Sequence, residues 1–269
     1  MTQGVLLFAS NNDLIKYTDI AEECARRCQK YLNKPISVIT STPEQIKNPQ
    51  IFDKIIAIAD DQLGNVRKFY NGLEETNSQW KNYSRADAWQ LTPYDETLVI
   101  DVDYFLYTDV LNYCFNQPND LVVAKTSQDL SYWRDSSEFK YLGLTQLDFY
   151  WATVFFFRKT ADTKIFFDLI SHIKDNWTFY KQKYQFSSRL YRNDFSFTIA
   201  VHLLKDLVAD LPFDLHYITD RDTVISISDM SCKALIQRQR KSNEYVISDI
   251  RDIDLHIMNK IALQELVSV

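Results

Sequence analysis

The sequence predicts an α/β fold on a mostly parallel sheet. Three observations point there. Short apolar runs alternate with helical or looped segments through the first 125 residues. Those runs are short enough for strands and lack the strict alternation of a one-sided sheet, as buried parallel strands do. One of them, TLVID (97–101), stays apolar until it closes on Asp101, with Asp103 two residues on.

GVLLFA (4–9) is expected to be the first buried strand, and TDIAEECARRCQKYL (18–32) an amphipathic helix. Cys24 and Cys28 lie in line with Ile20 and Leu32, so they share one helical face and are expected to be buried thiols of a reducing cytoplasm. ISVIT (36–40) follows Pro35 as the second strand, and KIIAIA (54–59) is the third. SRADAWQLT (84–92) is a short helix stopped by Pro93, ahead of the central strand 97–101. LVVAK (121–125) and WATVFFF (151–157) are further strands, and 161–180 is helical. DFSFTIAVHLLKDL (194–207) is a helix with Asn193 or Asp194 as N-cap. EYVIS (244–248) and DIDLHI (252–257) are strand-like, and NKIALQELV is a closing helix. No repeat, low-complexity tract or clear linker interrupts the chain, so residues 1–269 are expected to form one domain.

The chain has only four glycines, Gly4, Gly64, Gly72 and Gly143, all scattered. That weakens P-loop and dinucleotide-fingerprint readings, which need glycines close together. No run approaches the ~20 apolar residues of a membrane span. The N-terminus lacks a basic flank and a cleavage site, so it is expected to be a strand and the protein cytoplasmic. Net charge is −6, but two basic islands stand out. Residues 174–192 hold Lys174, Lys181, Lys183, Arg189 and Arg192 against Asp175 alone. Residues 233–241 hold Lys233, Arg238, Arg240 and Lys241 without an acid. Localised contact with an anion is the expectation.

Ligands of open α/β sheets gather beyond the carboxyl ends of strands, where Asp101 and Asp103 fall. In extended backbone, i and i+2 point the same way, so the two carboxylates would repel unless a cation sits between them. Mg²⁺ or Mn²⁺ would remove the repulsion while also binding phosphate oxygens. A solvated turn with two surface acids is the plainer alternative. Downstream, His256 interrupts the apolar run of DIDLHIMNK (252–260), either as a core histidine or as a third ligand. Lys260, four residues on, suits a phosphate oxygen.

TPYDETLVIDVDYFL, the opening GVLLFASNND and the closing LHIMNK together resemble GT-A-type glycosyltransferases, which use nucleotide sugars. The resemblance implies a three-layer α/β/α sandwich around a mixed, mostly parallel sheet. About 1–125 would bind the nucleotide sugar. About 126–269 would form the acceptor side, with a tail returning to the metal and phosphate. It implies Mn²⁺ or Mg²⁺ as cofactor and a UDP-sugar or related nucleotide sugar as donor. Asp103 would ligate the metal, Asp101 the metal or the ribose, and His256 would be a further ligand. Lys260 would meet the diphosphate. Phe8, Ala9 and Ser10 would line the base pocket, with Asp60 near base or ribose. Arg85 would meet the diphosphate or sugar, and Asp87 the sugar hydroxyls; a surface ion pair is the other reading of these two. FYWATVFFFRK departs from the family's frequent Asn-x-Gly element, so no donor contact is assigned there.

Asp194 suits a helix N-terminus, as a cap or as the general base that an inverting transferase needs on its acceptor hydroxyl. In a retaining enzyme it would only orient a substrate. WTFYKQKYQFSSRLYR (177–192) interleaves aromatics with cations, as a stacking surface or as a helix with core aromatics. If it borders the acceptor, a phosphate-bearing acceptor fits, including DNA with a hydroxylated base of the kind some bacteriophages modify. A glycan or protein hydroxyl is the alternative. A nucleotidyltransferase of nucleotide-sugar synthesis ranks next, although FASNND lacks the glycine-rich loop expected after its first strand. A haloacid-dehalogenase-type phosphatase ranks low, because its Asp pair ends the first strand. A non-catalytic nucleotide-sugar-binding protein stays open. Asp103→Ala is expected to abolish activity with little change in thermal stability, because removing a like-charged neighbour relieves repulsion in the metal-free protein.

Overall fold

Runs of branched and aromatic residues with few glycines favour extended strands packed on both faces. In the computed structural model, which describes all residues except 61–64, 72–73, 82, 187, 189, 240–242 and 269, those runs assemble into one sheet. Among the described residues it has seven strands, in the order Ala209–Asp210, Leu121–Ala124, Trp151–Arg158, Glu96–Ile100, Gln3–Phe8, Ile36–Thr40, Lys54–Ala57. Trp151–Arg158 runs antiparallel to both of its neighbours. The other pairings are parallel. The expected mixed, mostly parallel α/β sheet is therefore present.

Glu96–Ile100 lies between Gln3–Phe8 and Trp151–Arg158 and is wholly buried. Two-sided burial is why its sequence reads as a continuous apolar run. Helix Tyr17–Leu32 lays Ile20, Cys24, Cys28 and Leu32 into the core, as expected, and ends on Asn33 in the left-handed conformation. All four cysteines are buried and unbridged. Helix Ala161–Asp175 starts with a capping box between Thr160 and Thr163 and buries Phe166, Phe167, Ile170 and Ile173, a helical i, i+4, i+7 spacing.

Elements that the sequence reading resolved only in part complete the molecule. A hairpin joins Asn65–Asn71 to Glu74–Trp80. A smaller sheet orders Tyr104–Phe105, Leu255–Ile257, Leu215–Ile218 and Ser127–Asp129. Thr223–Ile227, Ser231–Gln237 and Tyr245–Arg251 form an antiparallel meander. The expected strand 252–257 is shorter, Leu255–Ile257, and the expected helix 194–207 is Asn193–Leu203 followed by a short 3₁₀ turn. No described helix is long and apolar enough to cross a membrane.

Candidate active site

The buried strand Glu96–Ile100 delivers Asp101 to the carboxyl edge of the sheet. Its amide N–H still donates to the Thr153 carbonyl (2.8 Å), but the next donor, Tyr104 N–H, returns to the Asp101 carbonyl (2.9 Å) and closes a turn. The expected extended backbone through 101–103 is therefore a turn. The small sheet then captures it: Ile257 N–H donates to the Asp103 carbonyl (2.8 Å), and His256 stands opposite Tyr104 in the ladder. One ligand atom from each of Asp101, Asp103 and His256 falls within 4.8 Å of the others, the one such group found among the described residues. Two hard carboxylate oxygens, an imidazole nitrogen and no thiolate make a donor set that suits a divalent metal ion.

The two aspartates do not face each other uncompensated. Arg85 ion-pairs with Asp101. Lys260 Nζ lies 2.5 Å from Asp103 Oδ2, and His256 Nε2 lies 3.2 Å from the same oxygen. Burial pushes the Asp101 carboxyl above its ordinary value, with Arg85 opposing. Burial pushes Asp103 the same way, but the Lys260 ammonium and the His256 ring outweigh it and hold that carboxyl well below the usual range. Asp103 is thus an anion at neutral pH, and a His256 Nε2 hydrogen-bonded to it carries a proton. Ligation through that nitrogen would exchange the proton for a metal ion.

A cleft opens above these groups. Phe8 and Ser10, at the end of the first strand, and Tyr17, at the start of the first helix, line it. The hairpin and the residue after it add Arg67, Trp80 and Lys81, with the Arg67 guanidinium 4.9 Å from the Trp80 ring. Trp151, Thr153, residues 192–194, Met258 and Lys260 also line the cleft. Five cations (Arg67, Lys81, Arg85, Arg192 and Lys260) thus meet three aspartates in one cleft, a balance that favours a polyanionic ligand.

Of the residues singled out from sequence, Phe8, Ser10, Arg85, Asp101, Asp103, Asp194, His256 and Lys260 converge here. Ala9, Asp60 and Asp87 do not line the cleft. Asp60 instead holds Lys81 (2.7 Å), which does. Asp194 is not the cap of its helix; Arg192 occupies that position, with no side-chain cap. Asp194 Oδ1 accepts from the Ala152 amide (3.0 Å), and Oδ2 pairs with Arg192 (2.7 Å), so Asp194 ties the helix start to the strand beside the cleft. The 177–191 aromatics are mainly core. Tyr180, Tyr184, Phe186 and Tyr191 are buried and Trp177 stacks on Phe186 and Phe195, leaving Phe179 exposed. From that island Arg192 reaches the cleft. In the second island, Arg238 lies over the Trp133 ring (4.5 Å) and Lys233 is exposed. Arg189, Arg240 and Lys241 lie outside the described residues.

The sequence reading missed Arg67, Trp80 and Lys81 because the hairpin that carries them was not recognised. Its signal was the Gly-Leu dipeptide at 72–73, since glycine first in a two-residue connection is favoured in hairpins. Trp151 and Thr153 belong to the expected strand 151–157. They share one face by alternation, and both line the cleft.

No family model and no curated protein matches the chain. Solved structures similar to it include the glycosyltransferase GlyE of Streptococcus pneumoniae, at 13% identity over 79% of this chain and 46% of that one, TM-score 0.45. The galactosyltransferase LgtC, in complex with donor and acceptor sugar analogues, is similar at 10% identity over 77% and 72%, TM-score 0.48. A Bacillus anthracis protein described as a glucose-1-phosphate thymidylyltransferase is similar at 9% identity over 78% and 86%, TM-score 0.44. The chain spans less than half the length of GlyE. These likenesses concern the course of the chain.

Proposed function

We propose that this protein is a metal-dependent glycosyltransferase that moves a sugar from a nucleoside-diphosphate sugar to an acceptor hydroxyl. One observation carries the reading: two aspartates and a histidine with metal-ligand spacing open into the same cleft as Arg85, Lys260, Lys81 and Arg67. Metal ligands beside several cations suit a diphosphate, which carries charge that both can share. Asp101, Asp103 and His256 would hold Mn²⁺ or Mg²⁺. When bound there, such an ion supplies Lewis-acid stabilisation of a departing diphosphate.

The remaining work falls to the chain's own side chains. Lys260 and Arg85 would neutralise diphosphate oxygens as the sugar–phosphate bond lengthens. Phe8, Ser10 and Tyr17 line the end of the cleft proposed for the nucleoside, and Asp60 serves that end through Lys81. Asp194 is the acid nearest the proposed acceptor side. Both of its oxygens already accept hydrogen bonds, so orienting a hydroxyl asks less of it than removing a proton does. Thr153 and Trp151 narrow the cleft around the transferred sugar, which favours an acceptor hydroxyl over water. We place the donor in the first half of the chain and the acceptor against the second. Arg192 is the side chain that would meet a phosphate-bearing acceptor, DNA included.

The test is release of free nucleoside diphosphate from a panel of UDP- and GDP-sugars, with and without Mn²⁺ or Mg²⁺. Metal-dependent release from at least one donor, lost in Asp103→Asn, is expected. Pyrophosphate formation from a nucleoside triphosphate and a sugar phosphate would instead indicate nucleotidyl transfer. Tight nucleotide binding with no release from any donor would indicate a binding protein, and either result overturns the proposal.

A further inference from the structure

We propose that Arg85 and Lys260 are internal counter-ions that exclude a bare divalent cation from the aspartate pair and yield it only to a cation arriving with a diphosphate. The inference rests on the reading of this cleft as a metal–diphosphate site. It goes further by assigning an order of binding and the two side chains that impose it.

The geometry is specific. The Asp103 side chain is 3% exposed, and one of its oxygens, Oδ2, takes both Lys260 Nζ at 2.5 Å and His256 Nε2 at 3.2 Å. Arg85 is ion-paired with Asp101 while another of its nitrogens, Nη1, donates to the Ala152 carbonyl (3.0 Å), so the guanidinium is fixed on two sides. Lys260 begins a helix whose first turn is itself anchored. The Asn259 side chain accepts from Ala262 N–H (3.1 Å) and donates to the Asp222 carbonyl (2.9 Å). Asp222 in turn accepts from Arg134 on both oxygens, 2.8 and 2.7 Å. The ammonium is therefore presented to Asp103 by a braced helix start.

A divalent ion bound to Asp101 and Asp103 would lie against two fixed cations, and like charges at such separations repel strongly in a partly buried cleft. Bare metal would also have to strip charge-assisted hydrogen bonds from Asp103. A diphosphate changes both terms. Its oxygens give Lys260 and Arg85 new anionic partners, so the aspartates are released without leaving any cation unpaired. Metal and diphosphate then each raise the affinity for the other, as linkage between two ligands of one site requires.

The test is calorimetric titration of Mn²⁺ into the full chain, without nucleotide, for the wild type and for Lys260→Met, Lys260→Arg, Arg85→Met and Asp103→Asn. Folding of each variant is checked by its melting transition. Lys260→Met and Arg85→Met are expected to bind bare Mn²⁺ about tenfold more tightly than the wild type, the scale of one charge-assisted hydrogen bond. Lys260→Arg, which keeps the charge, stays as weak as the wild type, and Asp103→Asn binds least. Unchanged or weaker Mn²⁺ binding in both methionine variants overturns the counter-ion role, while binding that still needs Asp103 leaves the metal-site reading standing. Absence of Mn²⁺ binding in every form, with UDP present as well as without it, overturns both.

Discussion

Asp103→Asn removes one charge and almost no volume, and its expected effect on the metal-free protein can be worked from the structure. The Asp103 side chain is 3% exposed and is the shared partner of Lys260 and His256. Breaking a fully buried pair from one side costs ~3–5 kcal/mol, because the other charge stays buried and unpaired. The Lys260 side chain is 10% exposed, and its long stem can swing the ammonium toward the cleft, so a smaller cost of about 2 kcal/mol is expected. For a chain of this size that lowers the melting temperature by roughly 4–8 °C. This reverses the expectation drawn from two repelling acids, because each aspartate already has its own cation. The assay is thermal unfolding by circular dichroism at pH 7 in chelator, for wild type, Asp103→Asn, Lys260→Met and the double variant. The double variant should recover most of the single variant's loss, since removing both charges leaves neither stranded. A single Asp103→Asn variant that melts within about 1 °C of wild type would show that the pair contributes nothing to the metal-free fold.

Arg134 is bidentate to both Asp129 and Asp222 and is almost wholly buried, so Arg134→Met should strand two acids and cost about 3 kcal/mol or more in urea unfolding. An unchanged urea midpoint would remove it as a brace for the Asn259 helix start. Arg192→Ala releases Asp194 from its ion pair, and transfer to the acceptor should fall at least tenfold while metal-dependent donor hydrolysis stays within about twofold. Equal losses in both would move Arg192 to the donor. Burial holds His216 below its ordinary histidine value. Its depressed folded value means that stability is fully present above ~6.5 and is lost as pH falls through the folded value. His216→Gln should therefore lose less melting temperature than wild type between pH 7 and 5, and identical pH profiles would count against the shift.

Periodicity and apolar content alone determine much of this protein. The strands at Gln3–Phe8, Ile36–Thr40 and Glu96–Ile100 are legible because a strand buried on both faces must be apolar throughout. Helix Tyr17–Leu32 is legible because its buried cysteines recur at helical spacing. Asp101 and Asp103 stand out because ionisable groups at the end of such a strand need a reason to be there. The partners of those aspartates were decided by tertiary structure. His256 reaches Asp103 through a ladder pairing more than 150 residues apart in sequence, and Lys260 arrives on a helix braced by Asp222. Sequence left open whether the aromatics of 177–191 form a stacking surface or fill the core, and packing puts Tyr180, Tyr184, Phe186 and Tyr191 inside, while Asp60 pairs with Lys81. A local pattern records which residues prefer strand, helix or interior. Which cation neutralises which carboxylate depends on distances that only the packed sheets establish, and those distances set the charge balance of the cleft.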